Sequence, residues 1–198
     1  MPILLKFVLI GDSNVGKTAV MRRLLGERFD PAFIMTTNGE ARKRKTLLVD
    51  NQRVDLELWD APGHERFRTD AALYIRDARA VLVFFDVTNE ASFQNIDNWL
   101  KFIPQTDSPA QKPLTFIIGN KTDKEPRRVE PDEAQHVADK NNSPYYETSA
   151  RVNDNEHFNR MFEQIVEEVL RQAPELTDSG PQNPRNPGEP WYKKCVLL

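Results

Sequence analysis

Apolar and polar positions change rhythm repeatedly along the chain, and strand-like runs alternate with helix-like stretches. The strand-like runs fall at 3–10, 42–49, 54–59, 80–86, 114–119 and a short one at 145–147. Helical spacing follows at 17–26, 69–76, 92–103, 131–140 and 156–172. The last is the clearest, with Phe158, Met161, Phe162, Ile165, Val166, Val169 and Leu170 on one apolar stripe. Such alternation predicts an α/β fold in three layers, a six-stranded, mostly parallel sheet with helices on both faces. The second and third strands are joined only around Asp50, Asn51 and Gln52, too short for a helical crossover. They are expected to form one antiparallel hairpin at the sheet's edge.

From Ala173 onward the pattern dissolves. Pro174, Pro181, Pro184, Pro187 and Pro190 punctuate a polar stretch without periodicity, which reads as a flexible tail over 173–198 behind a folded domain over 1–172. No internal repeat is visible. A chain of 198 residues is one domain with a core of its own. A net charge of −3 argues against a nucleic-acid partner held by counterion release. No apolar stretch reaches the roughly twenty residues that span a bilayer, and the first apolar run reads as a strand rather than a cleaved leader. The single cysteine has no internal disulfide partner, in keeping with a cytosolic protein.

The chemistry begins where the first strand ends. Gly11, Asp12, Ser13, Asn14, Val15, Gly16, Lys17 and Thr18 form a glycine-framed loop between a strand and a helix. Backbone NH groups of such a turn wrap phosphate oxygens, the lysine ammonium reaches the terminal phosphates, the hydroxyl ligates Mg2+, and the helix N-terminus adds its dipole. Glycine is needed at 11 and 16 because a side chain would block the backbone's approach. Ala19, in the first turn of the helix, is included among the binding positions.

Further segments fit what such a loop requires. Asn120, Lys121 and Asp123 form NKTD just past the fifth strand. A carboxylate there can accept two hydrogen bonds from one edge of guanine, and adenine offers no matching donors, so the wrong base leaves Asp123 unpaired. In the run Trp59-Asp-Ala-Pro-Gly-His-Glu-Arg-Phe67, Asp60 is placed to hold Mg2+ through water, and the Gly63 NH can meet a terminal phosphate. A hydroxyl from Thr36 or Thr37 could close the metal shell. Thr148, Ser149 and Ala150 follow the sixth strand and could support the base through backbone NH groups.

These segments resemble the Ras superfamily of small GTPases, most closely the Rab family, over residues 3–172. The carriers are GDSNVGKT, WDAPGHERF, DVTNEASFQNIDNWL over 86–100, NKTD, and ETSAR ending at Arg151. No inserted helix follows NKTD, which favours Rab over Rho. The resemblance implies the Ras-like P-loop fold and a switch that binds GTP and GDP with Mg2+, with loops near 29–40 and 60–76 ordered by the terminal phosphate. It places Phe29 across the guanine, Ser149, Ala150 and Arg151 beside it, and Thr18, Thr37 and Asp60 around the metal. It also implies an exchange factor, a GTPase-activating protein and effectors acting through 33–45 and 60–76, and a role in vesicle traffic.

Departures from the family are as informative. Counting back from Trp59 puts the switch threonine at Thr37, with Gly39 keeping the Thr-x-Gly spacing, while counting forward from Phe29 puts it at Thr36. Thr37 is preferred. His64 stands where Rab proteins carry the glutamine that orients the attacking water, so with Lys17 and Gly63 it completes the expected catalytic set. Losing the amide slows hydrolysis by orders of magnitude. Yet Asp-x-Pro-Gly-His also resembles translational GTPases, whose histidine serves that water, and an imidazole with a pKa of about 6.5 is mostly neutral in the cytosol. Slow hydrolysis is therefore expected, with a GTP-holding scaffold as the alternative. Arg42 replaces an aromatic of the effector patch formed with Trp59 and Tyr74, and Lys43, Arg44 and Lys45 follow it. Those charges also protect an edge strand from unwanted pairing.

Cys195, Val196, Leu197 and Leu198 match a geranylgeranylation ending. One lipid gives marginal binding, and Lys193 and Lys194 add roughly 1 kcal/mol each near an anionic leaflet, with Trp191 and Tyr192 at the interface. Reversible attachment through Cys195 to the cytosolic face of a membrane is expected.

Overall fold

The computed structural model describes residues 3–30, 42–63, 71–104, 112–152 and 155–173. Six strands form one sheet in the order β2-β3-β1-β4-β5-β6: β1 Ile3–Gly11, β2 Arg42–Val49, β3 Gln52–Asp60, β4 Ala80–Asp86, β5 Leu114–Asn120 and β6 Tyr145–Thr148. Every pairing is parallel except β2 with β3, where Val49 faces Gln52. Asp50 and Asn51 both take positive φ, 48° and 61°. That is the left-handed pair a tight two-residue hairpin demands, and Asn and Asp tolerate it better than other non-glycine residues. The edge hairpin is as the sequence predicts, with β3 extending beyond 54–59 at both ends.

Helices α1 Lys17–Leu24, α2 Ala71–Ile75, α3 Glu90–Gln94, α4 Ile96–Leu100, α5 Pro131–Lys140 and α6 Asn155–Gln172 cover the two faces. Alternate residues along each strand feed two separate cores. Leu5, Phe7, Leu9, Phe84 and Phe116 pack with α1 and α6 on one side. Val8, Ile10, Val83, Phe85 and Ile117 pack with α2, α3, α4 and α5 on the other. All seven members of the α6 stripe are buried. Among the described residues no helix is long and apolar enough to cross a membrane.

One helical expectation is corrected. The stretch 92–103 is not a single helix but α3 and α4, starting earlier at Glu90 and meeting at Asn95. Asn89 caps α3 by accepting from the Ala91 and Ser92 amides. At the junction the Asn95 carbonyl is shared, accepting from Asn98 N at 3.0 Å and from Trp99 N at 3.1 Å. Phe93, Ile96, Trp99 and Ile103 nonetheless all reach the sheet, so the apolar spacing reads as unbroken.

The topology puts chemistry at one end. Strands β1, β3, β4, β5 and β6 run parallel and finish at Gly11, Asp60, Asp86, Asn120 and Thr148. Chain order reverses around β1, which lies between β3 and β4, and an open α/β sheet binds its ligand at such a point.

Candidate functional site

The loop after β1 is built so that its backbone, not its side chains, lines the site. Gly11 has φ 134°, and a Cβ there would stand 2.3 Å from the Phe84 carbonyl oxygen. Gly16 has φ 97°, and its Cβ would stand 2.2 Å from Asn120 Nδ2. Ser13 and Asn14 are exposed at the tip, Val15 is buried, and Ala19 packs on the core below.

Lys17 opens α1 with its side chain buried, and its ammonium donates to the Gly11 and Asp12 carbonyls at 2.8 and 2.9 Å. Burial pushes its pKa down to about 8, against the opposing pull of Asp60 and Asp12. Next to it, Thr18 Oγ1 donates to Asp60 Oδ2. The other Asp60 oxygen is buried with no partner, and burial raises this carboxyl above its ordinary value despite Lys17 and Thr18. Gly63 closes the far wall: a Cβ on it would lie 2.4 Å from Lys17 Nζ and 2.6 Å from the Asp12 carbonyl. Gly11, Lys17, Thr18, Asp60 and Gly63 therefore converge from two segments, those following β1 and β3, on one small volume. A cation, a hydroxyl, a carboxylate and open backbone together suit a polyanion with its metal ion.

A second group of loops stands beside it. Asn120, almost wholly buried, donates from Nδ2 to the Val15 carbonyl at 2.7 Å and so straps the phosphate-type loop to the end of β5. Lys121, at φ 69°, pairs with Asp86 Oδ2 at 2.6 Å. Burial works against the Asp86 charge, but Lys121 and Thr88 outweigh it and hold the carboxyl below its usual value. Asp123 accepts from Ser149 Oγ and lies 3.7 Å from an Arg151 nitrogen. Ser149 Oγ in turn accepts from the Arg151 and Val152 amides, and Ala150 is buried beside them. Phe29, 38% exposed, lines a cleft with Arg23, Arg28 and Arg151. Arg151 thus belongs both to this cleft and to the surroundings of the Asp123 carboxylate.

Several supporting contacts carry no signal in the sequence. Arg127 grips Glu147 with two bonds of 2.8 and 2.9 Å, and Tyr145 adds a third at 2.6 Å, bracing the loop after NKTD against β6. Glu57 is buried between Arg42, Arg44 and the Trp59 indole. Arg42 does join Trp59 and Tyr74: its guanidinium sits 5.7 Å from the Trp59 ring, which meets Tyr74 edge-on at 6.1 Å. Arg127 and Glu147 are 20 positions apart and Arg42 and Glu57 are 15 apart, and only a charged residue between Leu56 and Leu58 marks Glu57. Thr36, Thr37, His64 and Cys195 lie outside the described residues, as do 31–40 and 64–70 of the two expected switch segments.

A family model described as Ras family matches residues 6–171. The chain is 39% identical to the Ras-related protein SEC4 of Candida albicans, with 77% of this chain and 72% of that one covered. It is 35% identical to the Ras-related protein Rab-10 of Caenorhabditis elegans, covering 95% and 92%, and 35% identical to Rab-27A of Rattus norvegicus, covering 88% and 82%. With a matching sheet order, a glycine-walled loop around a buried lysine and an Asp123–Ser149 corner, the chain belongs to the Ras family of small GTPases and is Rab-like.

Proposed function

We propose that the protein is a guanine-nucleotide switch that binds GTP and GDP with Mg2+, hydrolyses GTP slowly, and serves vesicle traffic at the cytosolic face of a membrane. The observation that carries this reading is the convergence of the Lys17 ammonium, the Thr18–Asp60 pair and the open Gly63 backbone at the mouth of the 11–18 loop. Thr18 and Asp60 fit a hard cation, since both offer oxygen and Asp60 holds one buried oxygen without a partner. Mg2+ held there, with Thr37 as a further ligand, supplies neutralisation of charge on the terminal phosphate. Lys17 and the loop amides of 12–18 hold the phosphates, and Gly63 meets the last of them.

Asp123, oriented by Ser149, reads the guanine edge, Phe29 and Arg151 flank the ring, and Asn120 and Lys121 fix the loops that carry them. His64 orients the attacking water less well than an amide, which keeps the GTP-bound state long-lived. Residues 1–172 form the nucleotide domain, and 173–198 form the tail that carries a lipid on Cys195. Exchange factors, activators and effectors act through 33–45 and 60–76.

Calorimetry on nucleotide-stripped protein should show far tighter binding of GTP than of ATP; equal affinities sink the reading. Single-turnover hydrolysis should be faster in His64→Gln by at least about tenfold, and equal rates would mean that the histidine already does the amide's work.

A further inference from the structure

Asp12 lies one residue into the loop proposed to hold phosphate, yet its carboxylate is occupied from the other side of the fold. Trp99 Nε1 donates to Oδ1 at 2.8 Å and Asn95 Nδ2 donates to Oδ2 at 2.7 Å, across 87 and 83 residues of sequence. Behind Asn95 the bonding continues: Asn98 Nδ2 donates to Asn95 Oδ1 at 3.2 Å, and Lys101 Nζ donates to Asn98 Oδ1 at 2.9 Å. We propose that Asn95 and Trp99 are positioning residues for the bound nucleotide's phosphates, acting through Asp12 at the end of a one-way hydrogen-bond relay from Lys101. The proposal rests on the nucleotide reading above.

The direction of the relay is fixed by its ends. A lysine ammonium can only donate and a carboxylate can only accept, so both amides between them must point the same way. Flipping Asn95 alone would set its oxygen against the Asp12 carboxylate and its NH2 against that of Asn98. Trp99 is 1% exposed and packed against the sheet, so its indole NH is a rigid donor. At the other end, the Asp12 main chain is part of the site itself. Its carbonyl accepts from Lys17 Nζ at 2.9 Å and presses on Gly63 so closely that a Cβ there would lie 2.6 Å away. Displacing Asp12 therefore moves both the phosphate-seeking ammonium and the backbone that meets the terminal phosphate. Asn95 and Trp99, four positions apart and so on one helical face, present both donors to the one carboxylate.

The relay predicts a reciprocal rescue. Asn95→Asp sets two carboxylates face to face, and Asp12→Asn sets two NH2 groups face to face. Together they restore complementarity, because the amide now at position 12 would donate to the carboxylate now at position 95 and still accept from Trp99. The full-length protein loaded with the fluorescent analogue N-methylanthraniloyl-GDP is chased with excess GDP, and the release rate is followed. Each single variant is expected to release the analogue about tenfold faster or more, with the double variant back within about threefold of the native protein. If Asn95→Asp fails to fold, Trp99→Phe, which removes only the NH donor from a ring-filled site, is expected to speed release several-fold. Unchanged release in the folded single variants, with only the melting midpoint lowered, would make these residues merely structural and overturn the proposal. A double variant as fast as the worse single also overturns it. Failure of the native protein to retain the analogue at all would instead bring down the nucleotide reading, and this inference with it.

Discussion

Gly16→Ala tests the loop geometry most directly, because it adds one methyl group and two separable costs. The first is backbone strain: φ 97° is a region that an L-residue enters at about 1–3 kcal/mol. The second is steric. The new Cβ would stand 2.2 Å from Asn120 Nδ2, so the amide must leave, and with it the 2.7 Å bond to the Val15 carbonyl. Stranding a buried donor and acceptor costs about 1–3 kcal/mol more. The sum, about 2–6 kcal/mol, corresponds to a fall of roughly 5–20 °C in the melting midpoint for a domain of this size. Melting of the nucleotide-free protein measures it. A cycle with Asn120→Ala then separates the parts: with the amide gone, the added methyl meets no clash, so the double variant should cost less than the sum of the singles by about 1–3 kcal/mol. A Gly16→Ala loss below about 1 kcal/mol, or strict additivity in the cycle, would refute the claim that Asn120 straps the loop through the space beside Gly16.

Two further outcomes follow from the same geometry. Ser149→Ala removes the hydroxyl that holds Asp123, so GTP affinity is expected to fall about tenfold while ATP affinity is unmoved; competitive binding measures the ratio, and a parallel fall in both would deny Ser149 an orienting role. Burial raises the Glu57 carboxyl, but the bonds from Trp59, Arg44 and Arg42 outweigh it and hold the group below its ordinary value of 4.5. A depressed carboxyl stabilises the fold above its unfolded value and loses that contribution as pH falls through the folded one, so Glu57→Gln should cost about 1.5–3 kcal/mol at neutral pH and flatten the acid side of the stability curve below 4.5; an unchanged acid slope contradicts this.

What the sequence reveals and what it hides divide by range. The alternation of apolar runs, the α6 stripe and the 11–18 loop are local patterns that lie where the spacing puts them, and the short link expected over 50–52 is shorter still, since Gln52 already pairs with Val49. The NKTD and Ser149 segments are legible because their residue types suit one ligand, although Asp123 and Ser149 are 26 positions apart. Asn95 is read as mid-helix because Phe93, Ile96 and Trp99 keep helical spacing across it; nothing local announces a tie to Asp12. The contacts of Arg127 and Tyr145 with Glu147 are likewise silent in the sequence, although Glu147 itself opens the ETSAR run. Arg42 is the instructive case. Its sequence position suggests either a changed effector patch or a guarded edge; in the fold its guanidinium sits 5.7 Å from the Trp59 ring and pairs with Glu57, a partner neither reading names.

The edge strand β2 carries a consequence for handling the protein. Arg42, Lys43, Arg44 and Lys45 line the outermost ladder, and Glu57 offsets only part of that charge. Were two molecules to zip together edge to edge, like charges would meet in adjacent rungs. That repulsion is Coulombic and fades once the Debye length shrinks to about 3 Å, near 1 M salt. Concentrated brine thus strips away the guard that keeps neighbouring copies apart, and dilute buffer preserves it.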